Sequence, residues 1–147
     1  FDRRLRQLCS HYGAMPAHDG LWEAAYATSE DSLARLAIVP MVLEARGLDV
    51  TPATVERFEA QGDSASARIL QRIFTDEIRH VSAGTKWFES GCRDAQLLPK
   101  YYWKVLVNRH FRGGVKPPFN DSARSKAGLT RDYYAWVAMP EPDRLDP

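Results

Sequence analysis

Residues 64–90 read SASARILQRIFTDEIRHVSAGTKWFES and carry the most regular helical pattern of the chain. Their apolar residues recur three and four positions apart, as they do along one face of an amphipathic helix. This spacing places positions 77 and 80 on the apolar face, and Glu77 and His80 occupy them. The pattern predicts one long helix with a carboxylate and an imidazole on its inner side. The apolar members of this face are Leu70, Ile73, Phe74, Val81, Gly84, Trp87 and Phe88.

A second helical stretch, residues 21–46, repeats this combination. The next position along its inner face is Glu44. One Glu from one helix, with Glu-x-x-His from another, is the ligand pattern of dinuclear carboxylate bundles. Carboxylates bridge two cations and neutralise their charge, while imidazole adds a neutral donor. The sequence therefore predicts Glu44, Glu77 and His80 as metal ligands. The other members of this inner face are Leu33, Leu36, Ala37 and Pro40.

A purely structural interpretation of the same residues stays open at this point. His80 would then be a core histidine that bonds to a carbonyl or a carboxylate. Glu77 would form a buried ion pair with Arg46 or Arg79. Burying a carboxylate without compensation costs several kcal/mol, so both interpretations require a partner for Glu77.

The rest of the chain also predicts helices, and no stretch shows the alternation of a strand. Pro40 is expected to kink the second stretch, and Thr28 or Ser29 could cap a helix inside it. Gly47 is expected to end that stretch, and Thr51 with Pro52 to begin the next helix. The predicted fold class is all-α. The expected helices cover about residues 1–12, 21–46, 52–61, 64–90 and 98–110, with Asp63 or Ser64 as the cap of the long helix and two short helices capped by Asn120 or Asp121 and by Thr130.

Length and charge restrict the class of protein. The chain has 147 residues, which suits one domain, and a net charge of +1, which gives no field that would attract nucleic acid or a membrane surface. No apolar run approaches the roughly 20 residues of a membrane helix. Cys9 and Cys92 lack a CxxC spacing and are expected to be buried, reduced thiols of a cytoplasmic protein.

Four segments carry a family resemblance: PAHDGLWEAA (16–25), VLEARGLDVTP (42–52), DEIRHV (76–81) and KPPFN (116–120). They resemble the signatures of an uncharacterised bacterial ferritin-like family, over nearly the whole chain. The resemblance implies a ferritin-like antiparallel bundle with a dinuclear iron or manganese centre, in which residues 1–147 form one domain. The chain would supply the C-terminal half of that bundle together with additional C-terminal helices.

The resemblance also implies ligands that this sequence does not contain. In that family an earlier helix supplies another Glu, and the next supplies another Glu-x-x-His that ends just before a residue like Phe1. The helical pattern here starts at Phe1 without a capping residue, which predicts a domain truncated at its N-terminus. Half of the ligands are therefore expected from a missing segment or from another chain, for which a homodimer is one arrangement.

Three functional hypotheses follow. The first is an oxidoreductase, such as a hydroxylase, that acts on an unknown small molecule; fold-level analogy also leaves a tRNA substrate open. The second is a non-catalytic binding or structural module with a buried polar network, and the third is iron storage. His18, beside Asp19, is a candidate catalytic acid–base group. Its alternative is a turn in which the side chain bonds to the backbone.

Overall fold

The computed structural model describes residues 1–138, and its regular structure is helical throughout that range. The predicted all-α fold class is confirmed. The α-helices are α1 (Asp2–Gln7), α2 (Gly20–Ala27), α3 (Ser32–Ile38), α4 (Ala45–Ala60), α5 (Ser64–Asp94), α6 (Pro99–His110) and α7 (Asp121–Lys126); a π-helical segment, Val39–Glu44, joins α3 to α4, and two 3-10 turns, Arg131–Tyr133 and Ala135–Ala138, follow α7. No helix in the described range is long and apolar enough to cross a membrane.

Helix α5 is the long helix that the sequence predicts. It begins at the predicted cap, because the Asp63 side chain accepts a hydrogen bond from the Ser66 amide at 3.0 Å. Its 31 residues give a length of about 46 Å. The buried face of α5 differs from the predicted face at three residues. Trp87 is 69% exposed, whereas Thr85 and Cys92 are buried. The prediction of Trp87 as an inner residue is therefore wrong.

Helices α4 and α5 form an antiparallel pair. Residues 61–63 connect them, and Gly62 adopts a positive φ of 78° that a glycine accepts without strain. The π-helical segment and α3 pack against the C-terminal part of α5, and α6 packs against both α3 and α5. The core lies between these helices. Its largest fully buried side chains include Trp103, Tyr133, Phe88 and Met41.

The predicted break between residues 47 and 52 is wrong, since α4 runs continuously through it. Gly47 does not end a helix, and Thr51 does not cap one. Pro52 lies inside the helix, where it has no N–H to offer to the carbonyl of Leu48, four residues earlier. The side chain of Asn120 donates to that carbonyl instead, at 3.2 Å. A contact from a distant part of the chain therefore compensates for the proline.

Pro40, predicted to kink its helix, lies in the π-helical segment Val39–Glu44. A proline removes one backbone donor from an α-helix, and a π-bulge is one way for the chain to accommodate that loss. The ring of Pro40 also packs directly on α5. A Cβ atom added to Gly84 would lie 2.5 Å from Cβ and Cγ of Pro40, so this close approach requires a glycine.

The predicted helical stretch 21–46 divides into α2, α3 and the π-helical segment. An internal cap was expected at Thr28 or Ser29, and the structure places it at Asp31, whose side chain accepts from the Ala34 amide at 2.9 Å. Thr28 instead follows the last residue of α2 and donates its hydroxyl back to the Ala24 carbonyl at 2.7 Å. Asn120 caps α7 and Thr130 precedes the first 3-10 turn, in agreement with the predicted starts.

The N-terminal helix is shorter and more exposed than expected. It ends at Gln7 rather than near Tyr12, and Phe1, Leu8 and Tyr12 are all exposed. Cys9 is exposed as well, so the prediction of two buried thiols holds only for Cys92. On this apolar face only Leu5 is half-buried.

Candidate metal centre

The three predicted ligands lie on two neighbouring elements. Glu44 is the last residue of the π-helical segment, at the point where α4 begins. Glu77 and His80 lie one turn apart near the middle of α5. Because α5 packs against both the π-helical segment and α4, the three side chains meet at one level of the bundle.

The cluster has the spacing of a metal-binding group. One ligand atom from each of Glu44, Glu77 and His80 lies within 4.8 Å of the other two. Nδ1 of His80 is 3.4 Å from Oε2 of Glu77. Two carboxylates and one imidazole at such distances are able to share a cation, and this donor set suits iron or manganese.

Burial makes the negative charges of this cluster unfavourable on their own. Burial raises the pKa of the Glu44 carboxyl, the neighbouring Glu77 carboxylate raises it further, and His80 acts in the opposite direction. Oε2 of Glu77 is buried and has no hydrogen-bond partner among the described residues. An acceptor that is removed from water and left without a donor is costly. A bound cation is the partner that fits two such carboxylates.

The two arginines considered as partners for Glu77 are engaged elsewhere. Arg46 donates to the backbone carbonyls of Lys116 and Pro118 at 3.0 and 3.2 Å. Arg79 lies 3.7 Å from Asp76 and is largely exposed. In the described part of the chain, neither forms an ion pair with Glu77. The described side chain that lies close to Glu77 is instead the imidazole of His80, at 3.4 Å, so the alternative of a Glu77–arginine pair is not what the structure contains.

His80 differs from its predicted position in one respect. Its side chain is 59% exposed, whereas the pattern placed it in the apolar seam. His80 and Trp87 are seven residues apart and therefore share one side of α5. The described helices that pack on α5 lie on its other side, which leaves this margin open to solvent. The imidazole is thus within reach of Glu77 but lies at the rim of the cluster.

Comparison with known proteins identifies the family. A model of the family described as "Protein of unknown function (DUF455)" matches residues 1–135. The chain belongs to this family. It is also similar to an "Uncharacterized protein" from Haemophilus influenzae, with 38% identity over 136 residues that cover 92% of this chain and 47% of that relative. The chain thus spans about half the length of the curated relative it matches. No solved structure matches the sequence.

His18 of this DUF455 chain lies outside the Glu44–Glu77–His80 cluster, in the exposed loop before α2. Its Nδ1 accepts a hydrogen bond from the Gly20 amide at 2.9 Å. This is the bond to the backbone that the turn alternative required. The candidate acid–base role of His18 has no second polar side chain in contact to support it within the described range.

One buried ion pair of this DUF455 chain was not predicted from the sequence. Arg124 on α7 is 1% exposed and pairs with Asp49 on α4, whose side chain is fully buried. The helical spacing of Asp49 could have predicted this buried pair, but the wrongly predicted break in α4 interrupted that spacing. Asp49 follows the buried residues Ala45 and Leu48 at helical spacing, so a continuous helix through residues 47–52 would have placed it on the inner face.

Proposed function

We propose that this DUF455 chain supplies Glu44, Glu77 and His80 to a dinuclear iron or manganese centre of the ferritin-like type. The observation that carries the proposal is the convergence of three ligand atoms within 4.8 Å. The buried Oε2 of Glu77 supports it, because that oxygen has no hydrogen-bond partner among the described residues and is suited to a cation. The π-helical segment supports it further, since such bulges are frequent at functional sites.

The roles of the three residues follow from their positions. Glu44 and Glu77 are on facing elements and would hold the metal through their carboxylates, while His80 at the rim would add a neutral imidazole donor. Such a centre supplies redox chemistry with O₂ or peroxide, and the proposed activity is that of an oxidoreductase. The protein's own contribution is to hold two carboxylates at fixed spacing in a partly buried setting and to keep water from one side of them.

Three side chains are about half of the ligand set of a dinuclear carboxylate bundle. We propose that the remaining ligands approach from the exposed side of α5, where His80 and Trp87 lie. They come either from further residues of a longer protein, such as the relative that is about twice this length, or from a second copy of the chain. Either source would cover the rim on which His80 is now exposed.

Metal binding tests this proposal directly. Titration of the chain with Mn²⁺, followed by the electron paramagnetic resonance of the free ion, is expected to show saturable binding. Glu44→Gln, Glu77→Gln and His80→Gln should each weaken that binding at least about ten-fold, because each removes one ligand. Glu56→Gln is the matched control, since Glu56 is an exposed carboxylate of α4 outside the cluster.

Elemental analysis of the longer Haemophilus influenzae relative completes the test. We expect two iron or manganese ions per chain in that protein. No metal in the purified relative, together with no saturable Mn²⁺ binding by the folded chain, would overturn the proposal. The cluster would then be a buried polar network, and Glu77→Gln would change stability alone.

A further inference from the structure

A small cavity lies between the π-helical segment, the start of α4 and the segment that follows α6. Its volume is about 170 Å³. An engineered protein cavity of about 150 Å³ binds benzene, so this cavity has the size for one small ring or a short branched chain. Four of its lining residues are apolar: Val42, Leu43, Phe111 and Val115.

The remaining wall of the cavity is cationic. Arg46, Lys116 and Arg124 line it, and no acidic side chain does. Asp49 neutralises one of these charges, because it holds Arg124 in a two-pronged ion pair at 2.7 and 2.8 Å. Arg46 uses one terminal nitrogen for the carbonyls of Lys116 and Pro118, and that nitrogen is 3.5 Å from Asp49. The cavity therefore combines apolar walls with an excess of positive charge.

Arg124, one of the residues that line this cavity, has one donor that no described group accepts from. Its Nε and Nη2 donate to Asp49, and its guanidinium lies 4.9 and 4.7 Å from the rings of Phe119 and Tyr134. Its Nη1 is buried and has no partner within the described residues. A buried donor without an acceptor is unfavourable, and a ligand oxygen would remove that penalty.

We propose that the cavity binds a small carboxylic acid with a compact apolar body. The carboxylate would accept from Arg124 and lie near Arg46 and Lys116, since guanidinium groups bind carboxylates in a fixed, planar geometry. The apolar walls would cover the body of the ligand. Inorganic phosphate would pair with the cationic side chains but would leave the apolar walls in contact with water. The geometry therefore favours an acid with an apolar body over an inorganic oxyanion. This inference does not depend on the metal centre.

Benzoate is a suitable probe, because its ring matches the cavity and it carries one carboxylate. Isothermal titration calorimetry of the metal-free chain should show saturable benzoate binding. Benzamide has the same shape without the charge and should bind about ten-fold more weakly or worse, because a charge-assisted hydrogen bond is replaced by a neutral one. Phosphate should not displace benzoate at equal concentration.

Two variants locate the binding. Lys116→Gln removes one exposed charge of the cavity wall and should weaken benzoate binding by about three- to ten-fold. Arg68→Gln is its matched control, because Arg68 is an exposed cation of α5 that does not line the cavity. Val115→Phe fills the cavity and should abolish binding, and its melting curve shows whether the variant is folded.

Several results would overturn the inference. They are the absence of benzoate binding by the folded chain, equal binding of benzamide, tighter binding of phosphate, or benzoate binding that survives in folded Val115→Phe. Lys116→Gln and Arg68→Gln with the same affinity would likewise place the anion somewhere else on the surface. None of these outcomes involves Mn²⁺, so the cavity and the metal centre are tested separately.

Discussion

Asp49 is the residue that joins α7 to α4. Its Oδ1 accepts from Nε of Arg124 at 2.8 Å and from the Asn120 amide at 2.9 Å, and its Oδ2 accepts from Nη2 of Arg124 at 2.7 Å. The arginine is flanked by two aromatic rings and is only 1% exposed. A buried ion pair adds little net stability by itself. Removing one partner is nevertheless strongly destabilising, because the other charge is then buried without compensation.

Removing Asp49 should therefore destabilise the chain strongly. We expect Asp49→Ala to lower the free energy of unfolding by about 3–5 kcal/mol, because it leaves the Arg124 cation buried without a counter-ion. The double variant Asp49→Leu/Arg124→Met should recover much of that loss, since no charge is then buried. Chemical denaturation followed by circular dichroism measures both values.

The exposed pair Arg72–Asp76 is the control for this prediction. Its atoms are 2.9 Å apart, but the arginine side chain is 73% exposed. Arg72→Ala is expected to change the free energy of unfolding by less than about 1 kcal/mol. If Asp49→Ala were as mild as this control, the buried character of the Asp49–Arg124 pair would be refuted.

Glycines and prolines decide the course of the helices, and their roles were the hardest to predict. Local rules take Gly47 and Pro52 as helix boundaries. The structure keeps α4 continuous through both, because Asn120, 72 residues after Leu48, satisfies the carbonyl that Pro52 leaves free. Such a long-range contact has no trace in the local pattern. The cap at Asp63 and most of the inner face of α5, by contrast, depend on neighbouring residues and were predicted.

Two glycine substitutions should have opposite effects. Gly47→Ala should raise the free energy of unfolding by about 0.5–1 kcal/mol, because Gly47 lies inside α4 and an added Cβ would meet only Cγ of Glu77, at 4.0 Å. Gly84→Ala should lower it by about 1–3 kcal/mol, because its Cβ would lie 2.5 Å from Pro40. Thermal and chemical unfolding of the two variants give the comparison, and effects of the same sign would contradict it.

The compensation between Pro52 and Asn120 can be measured by a double-mutant cycle. Asn120→Ser keeps an N-cap side chain for α7 but loses the donor to the Leu48 carbonyl, which should cost about 1 kcal/mol. In a Pro52→Ala background the residue at position 52 has its own N–H for that carbonyl, so the same substitution should cost less than half as much. Equal costs in the two backgrounds would show that the Asn120 bond has no connection with Pro52.

The core of the described chain is built on one side of α5. Phe88 and Val81 face the other described helices, while His80 and Trp87 remain exposed. The sequence predicted the all-α class and the approach of Glu44 to Glu77, because helical periodicity fixes which residues share a face. It could not predict the exposure of Trp87 or of Cys9, because periodicity does not tell which apolar face is covered, and by what.

The rates at which the two cysteines react should show that one is exposed and the other is buried. Cys9 is exposed, whereas Cys92 is fully buried and burial raises the pKa of its thiol. Under native conditions, a thiol reagent such as dithionitrobenzoate should modify one thiol rapidly and the second only as fast as the molecule opens. Cys9→Ser should remove the fast phase and leave the slow one. Two fast thiols would mean that the C-terminal part of α5 is not packed as described.

In the π-helical segment Val39–Glu44, the number of residues matters for the position of Glu44 as much as the identity of their side chains. Each residue of a helix turns the chain by about 100°, so adding one residue to this segment would rotate Glu44 away from Glu77. The same rotation would carry Leu43 out of the cavity wall. We therefore expect members of the family to have no additional residue between Ile38 and Ala45.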